Sequence, residues 1–172
     1  VLSAPAAAVK FRRPFHQGLG LGYGFDHNYG AAGCTAYACG GKCYNGHTGS
    51  DFPVGLGSDV LAGAPGKVIA TNNGCANYGY YGNTCGGQCG NYVKLQHADG
   101  TTTIYCHMQL NTIAVGNGQQ VSCGQKLGQS ASSGSSTGPH LLFGWNSGGT
   151  KDPFAGGCGN SGGVWVNQGG YN

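Results

Sequence analysis

Three short segments carry side chains from which a catalytic centre could be assembled. The first, Gly46-His47-Thr48-Gly49-Ser50-Asp51, sets an imidazole and a carboxylate four residues apart. That even spacing turns both to one side, whether the stretch is a helical turn or an extended strand. One imidazole nitrogen and one carboxylate oxygen suit zinc. Alone, the pair is common and fits a surface histidine and a turn-capping aspartate better than a metal site. In the second, Ile104-Tyr105-Cys106-His107-Met108, strand alternation puts Tyr105 and His107 on one face and Cys106 on the other. His107 by itself also fits a half-buried histidine bonded to the backbone. In the third, Ser136-Thr137-Gly138-Pro139-His140-Leu141-Leu142-Phe143, Gly-Pro fixes the entry to a strand. His140 and Leu142 then share one face, and Leu141 and Phe143 the other.

What is missing narrows the chemistry. The chain has no glutamate, which excludes the HExxH zinc proteases. Two-carboxylate glycoside hydrolysis would have to use pairs among Asp26, Asp51, Asp59, Asp99 and Asp152. Proton chemistry in this chain therefore rests on histidine. The run Gly18-Leu19-Gly20-Leu21-Gly22-Tyr23-Gly24 lacks the strand–turn–helix setting and the Lys-Ser/Thr ending of a phosphate loop.

The elements that must hold these segments read as short strands and long loops. Gly, Asn and Thr weaken helices, and no long 3.6-residue periodicity occurs. Val60-Leu61 and Val68-Ile69-Ala70 flank the turn Ala64-Pro65-Gly66. Residues 91–98 and 101–108 are β-prone runs joined at Asp99-Gly100, a strong hairpin signal. Thr112–Val115, Gln120–Ser122, Lys126–Gly128 and Pro139–Trp145 continue as short strands. No internal repeat or linker divides the 172 residues, so 1–172 reads as a single all-β domain.

With 37 Gly and 8% charged residues, the composition approaches that of disordered chains. Recurrent Tyr, Phe, Trp and aliphatic residues, together with nine cysteines, argue for a packed core instead. Cysteine use at this level indicates an oxidising compartment, and an odd count leaves at least one unpaired within the chain. Disulfides within the clusters 34/39/43 and 75/85/89 are expected, with Cys106 to Cys123. Cys39, Cys43, His47 and Asp51 recur every four residues and offer an alternative metal stripe, which Gly40, Gly41 and Gly46 oppose as a helix. A net charge of +3 favours an acidic surface such as a bacterial wall. Beyond Arg12-Arg13 no basic cluster argues for nucleic acid, and no apolar run is long enough to span a membrane. The small, uncharged start suggests a mature secreted chain or a trimmed one.

In this order and spacing the segments resemble the LytM/lysostaphin-type zinc metalloendopeptidases over roughly residues 40–145. Supporting pieces are Asp51-Phe52, Ala64 to Ala70, Gly90-Asn91-Tyr92-Val93, Val115 to Gln119, Gly124 to Gly128 and, most specifically, Ser-Ser-Thr-Gly-Pro-His. Gly22-Tyr23-Gly24-Phe25 is similar to the segment leading into the family's domain. The resemblance implies an antiparallel sheet platform with a central groove walled by long loops. It also implies a secreted monomer acting on peptidoglycan cross-bridges or stem peptides, often at glycine. His47 and Asp51 match the first two zinc ligands. His107 and His140 match the catalytic histidines, His140 as base and His107 as donor to the oxyanion. The third ligand position is Leu142, which cannot donate an electron pair. The expectation is therefore weak or absent zinc and impaired hydrolysis, with a non-catalytic wall-binding or hydrolase-activating module as the alternative.

Overall fold

The computed structural model describes residues 4–160 and 162–171. The β-prone runs form nine strands, with no helix among the described residues. They are β1 (Ser50–Phe52), β2 (Asp59–Leu61), β3 (Gly66–Asn72), β4 (Asn91–Gln96) and β5 (Thr102–Met108). β6 (Gln120–Val121), β7 (Lys126–Gln129), β8 (Leu141–Asn146) and β9 (Thr150–Lys151) follow. Seven form one antiparallel sheet ordered β1-β8-β5-β4-β3-β6, with β9 on the far end of β8, and β2 pairs with β7. The chain is thus all-β. The β4–β5 hairpin turns through residues 97–101, where Gly100 takes φ +83°.

Alternation sorts the sheet into two faces. Val93, Leu95, Tyr105, Leu141 and Phe143 point to the core and are buried. Phe11, Phe15, Phe52, Phe154 and Trp165 pack with them, so both flanks of the chain join the same apolar cluster. Phe11 and Trp165 pair as a parallel bridge. The Arg13 guanidinium lies 4.3 Å from the Trp165 ring centroid and also over Phe52 and Phe154. Burial lowers its pKa to about 10.

Three expectations are corrected. Thr112–Val115 is not a strand, because Asn111 turns at φ +61° and only scattered backbone bonds follow, such as Ala114 N–H to Leu127 O. The disulfides are Cys34–Cys43, Cys39–Cys158, Cys75–Cys85 and Cys89–Cys106. Cys39 and Cys89 therefore leave their clusters, and Cys106 does not meet Cys123, which stays free and exposed. The reason is which face each occupies. Cys106 points to the opposite face from Tyr105, whereas the Cys123 thiol reaches the carbonyl of Gly63, whose N–H binds the Tyr105 hydroxyl. With Cys39 and Cys43 oxidised, the four-residue stripe offers no thiolate to a metal.

The third correction concerns β5. Asn91 pairs with Met108 and Val93 with Tyr105, so one residue of β4 faces two of β5, Cys106 and His107. This is a β-bulge, and His107 sits in it at φ +62°. Alternation breaks there. Tyr105 stays in the core, while Cys106 and His107 both turn toward the opposite face.

Candidate active site

The uncovered face of the sheet forms the floor of a groove of about 1200 Å³. Tyr23, Tyr44, Tyr81, Pro139 and Trp145 are among its lining residues. Two loops outside the groove lining meet backbone to backbone at Gly79 and Gly134. A Cβ at Gly79 would collide with the Gly134 carbonyl, so side chains are excluded there. Strand register sets one row across the floor, with Asp51 of β1 opposite Leu142 of β8 and Leu142 opposite Cys106 of β5.

His47 precedes β1 in a loop tied down from below. Asp26 accepts from the backbone N–H groups of Gly46, Asn28 and Thr35, and its own N–H binds the His47 carbonyl. Burial pushes the Asp26 carboxyl upward, but these donors and His27 outweigh it and leave it below the ordinary carboxylate range. The ring is held separately, His47 Nδ1–H donating to the Gly24 carbonyl at 2.7 Å. Tyr44 stacks on that ring with centroids 4.0 Å apart and donates its hydroxyl to Asp51 Oδ2 at 2.9 Å. Burial, then the Asp51 charge, raises the Tyr44 pKa, so the phenol stays protonated. Sequence reasoning missed Tyr44 and Asp26. Neither belongs to a recognisable motif, and only the fold brings them to the site.

The other two histidines are fixed in the same way. His107 Nδ1–H donates to Ser133 O at 2.7 Å, and His140 Nδ1–H to Gly138 O at 2.8 Å. A carbonyl only accepts, so each Nδ1 carries a proton and each ring leaves Nε2 uncommitted to these carbonyls. The two rings lie 4.6 Å apart. Burial, then the neighbouring His140, pushes the His107 pKa from 6.5 down to about 4. Burial likewise pushes Asp51 up, but His47, His140 and Tyr44 together bring it below its usual value.

A pH effect follows. Between about pH 4 and 6.5 the unfolded chain binds a proton at residue 107 that the folded chain refuses. Stability therefore falls as pH drops through that window, by up to about 3 kcal/mol. Urea unfolding of wild type at pH 7 and pH 4.5 should show the loss, and His107→Gln should flatten it. An unchanged slope in the variant assigns the pH effect elsewhere.

The fold thus brings His47, Asp51, His107, His140 and Leu142 into one groove. His16, His27 and His97 lie outside it. His27 pairs with Asp152, and His97 is spent on Pro65 O and Thr103. His47 Nε2 and Asp51 Oδ1 are buried, lack hydrogen-bond partners and stand 3.2 Å apart. A cation between them would satisfy both atoms. The spacing matches the edge of about 3.3 Å for a tetrahedron with zinc bonds near 2.0–2.1 Å. His140 Nε2 lies 3.6 Å from the same oxygen. Among the described residues, no three His, Cys or Asp side chains close into a metal-binding set. Leu142 points into this space and packs on Gly49, where an added Cβ would lie 2.9 Å from its Cδ2. The residues present offer zinc two fitting donors and stop short of a third.

Residues 45–153 match peptidase family M23. The chain is 39% identical over 97 residues to the peptidoglycan DD-endopeptidase ShyA of Vibrio cholerae, and 36% identical over 97 residues to the glycyl-glycine endopeptidase ALE-1 of Staphylococcus capitis. These matches cover 56% of this chain but only 19% and 24% of the two relatives. The catalytic domain of lysostaphin from Staphylococcus simulans superposes with TM-score 0.54 and 33% identity, over 78% of this chain and 89% of that one. By sequence and by fold, the chain belongs to peptidase family M23, a zinc-dependent family.

Proposed function

We propose that this chain is an extracytoplasmic, peptidoglycan-directed M23 domain. Its groove holds glycine-containing cross-bridge or stem peptides, and its hydrolysis is severely impaired. His47 and Asp51 are the two surviving metal donors, Leu142 stands where the third belongs, and His107 and His140 are the catalytic pair. The observation that carries this reading is the row Asp51–Leu142–Cys106. An isobutyl group directly opposite Asp51, turned into the groove, fills the place from which a donor would complete the set. Zinc held there would polarise a scissile carbonyl and acidify a water. Two protein donors hold it weakly, since even the loss of a supporting partner costs about 10–100-fold in affinity.

The chain's own residues still suit a peptide. His107, neutral with its Nδ1–H on Ser133 O, offers Nε2 as an acceptor and not as the donor expected from the resemblance, and His140 stands beside it in the groove. The name of the ALE-1 relative, a glycyl-glycine endopeptidase, supports glycine in that peptide. Four disulfides support a location outside the reducing cytoplasm. The intact groove beside an incomplete donor set favours a second reading, a module that binds wall peptides or activates a partner hydrolase without cleaving.

Elemental analysis of the purified chain, beside a pull-down on isolated peptidoglycan, tests the proposal. The expected result is well under one zinc per chain with retention on the wall material. Stoichiometric zinc at the groove overturns the impaired-site reading, and failure to bind peptidoglycan overturns the substrate.

A further inference from the structure

Away from His47 and Asp51 the groove floor carries one more charged side chain. Lys94 lies on β4, where Val93 and Leu95 turn into the core and residue 94 turns the other way. It is half-buried beside Thr102, Ile104 and Trp145. Lys94 pairs with Ile104, and Ile104 with Gly144. That row runs parallel to Asp51–Leu142–Cys106, two residues further along the strands. Three strand spacings of about 4.8 Å and two residues of about 3.3 Å separate the Lys94 and Asp51 α-carbons by roughly 16 Å. An extended peptide, with help from the lysine stem, covers this in about three to four residues.

Nothing in the described chain neutralises this ammonium. The sequence has five carboxylates on side chains, all Asp, and each is engaged. Asp26 binds backbone N–H groups, and Asp51 binds Tyr44. Asp59 pairs with Lys126, Asp99 binds Val9 N–H and Thr101, and Asp152 pairs with His27. Arg12, Lys67 and Lys151 are exposed, where water solvates them. Lys94 differs by being partly withdrawn from water, in a groove, against an apolar neighbour. A charge so placed is best satisfied by an anion that arrives with the ligand.

We propose that Lys94 forms an anion subsite of the groove. It receives a carboxylate of an extended peptide three to four residues from the His47–Asp51 centre. This rests on the reading that the groove holds wall peptides, and it narrows the class. Peptides with a free carboxylate at that distance bind in preference to uncharged glycine stretches. Three ammonium donors and a charge-assisted bond of about twice ordinary strength supply the preference.

Calorimetry on the whole chain with two probes tests it. The probes are N-acetyl-hexaglycine with a free C-terminal carboxylate and the same peptide as its C-terminal amide. Wild type should bind the acid about 10-fold more tightly than the amide. Lys94→Met should bring the acid to the amide's level, Lys94→Arg should keep the preference, and 1 M salt should shrink it. Equal binding of acid and amide to wild type leaves the peptide groove standing and overturns the subsite. So does a preference that survives in Lys94→Met, because the carboxylate is then held elsewhere. If neither peptide binds wild type, the groove reading itself fails and the subsite falls with it.

Discussion

Leu142→His should raise zinc affinity by more than about 100-fold and bring cleavage of glycine-containing wall peptides up by at least a similar factor. The position is prepared for it. Residue 142 is opposite Asp51, its side chain already enters the groove, and its strand is fixed on both sides by β1 and β5. Restoring a directly bound ligand should exceed the 10–100-fold typical of a supporting group. Leu142→Ala is the control, since it clears space without adding a donor and should gain neither zinc nor activity. The measurements are elemental analysis and cleavage of several peptidoglycan-derived peptides. A variant that binds one zinc tightly and cleaves none of them removes His107 and His140 from their catalytic roles. A variant that gains no zinc shows that residue 142 does not face the metal position.

The second large effect concerns Cys39–Cys158, which closes a loop of 119 residues. It ties the segment approaching His47 to the chain beyond Phe154, where Cys158 N–H also binds Tyr37 O. In the chain-entropy view a loop of that length is worth about 4–5 kcal/mol. Replacing both cysteines with serine should lower Tm by roughly 10 °C or more, at about 2–4 °C per kcal/mol for a chain of this size. The same change at Cys75–Cys85, closing only 10 residues, should cost distinctly less. Thermal unfolding of both variants decides it, and equal losses would make strain or local packing, not loop length, the source.

Much of this was readable before any coordinates, for definable reasons. The β4–β5 hairpin announced itself locally, through two β-prone runs and Asp99-Gly100. The shared direction of His140 and Leu142 follows from strand periodicity after Gly138-Pro139. What escaped depends on partners distant in sequence. The bulge that re-aims His107 exists only because β4 runs out of step with β5 between Asn91 and Val93. The support of His47 comes from Gly24 and Asp26, more than twenty residues earlier, through backbone groups that leave no composition signal. Tyr44 looked like one of ten tyrosines until its hydroxyl met Asp51. Cysteine partners were the least legible, because two of the four bonds follow the topology and not the clustering.

The pairing of Phe11 with Trp165 bears on how the molecule is made. Sheet strands β3, β4 and β5 are neighbours in sequence and can register as soon as they exist. The Phe11–Trp165 bridge must close a loop of about 150 residues, with Arg13 wedged among three rings at the seam. Closure entropy grows with separation, and long-range pairings slow the search. This clasp therefore forms after the sheet, and the last apolar surface to leave water lies on the side away from the groove.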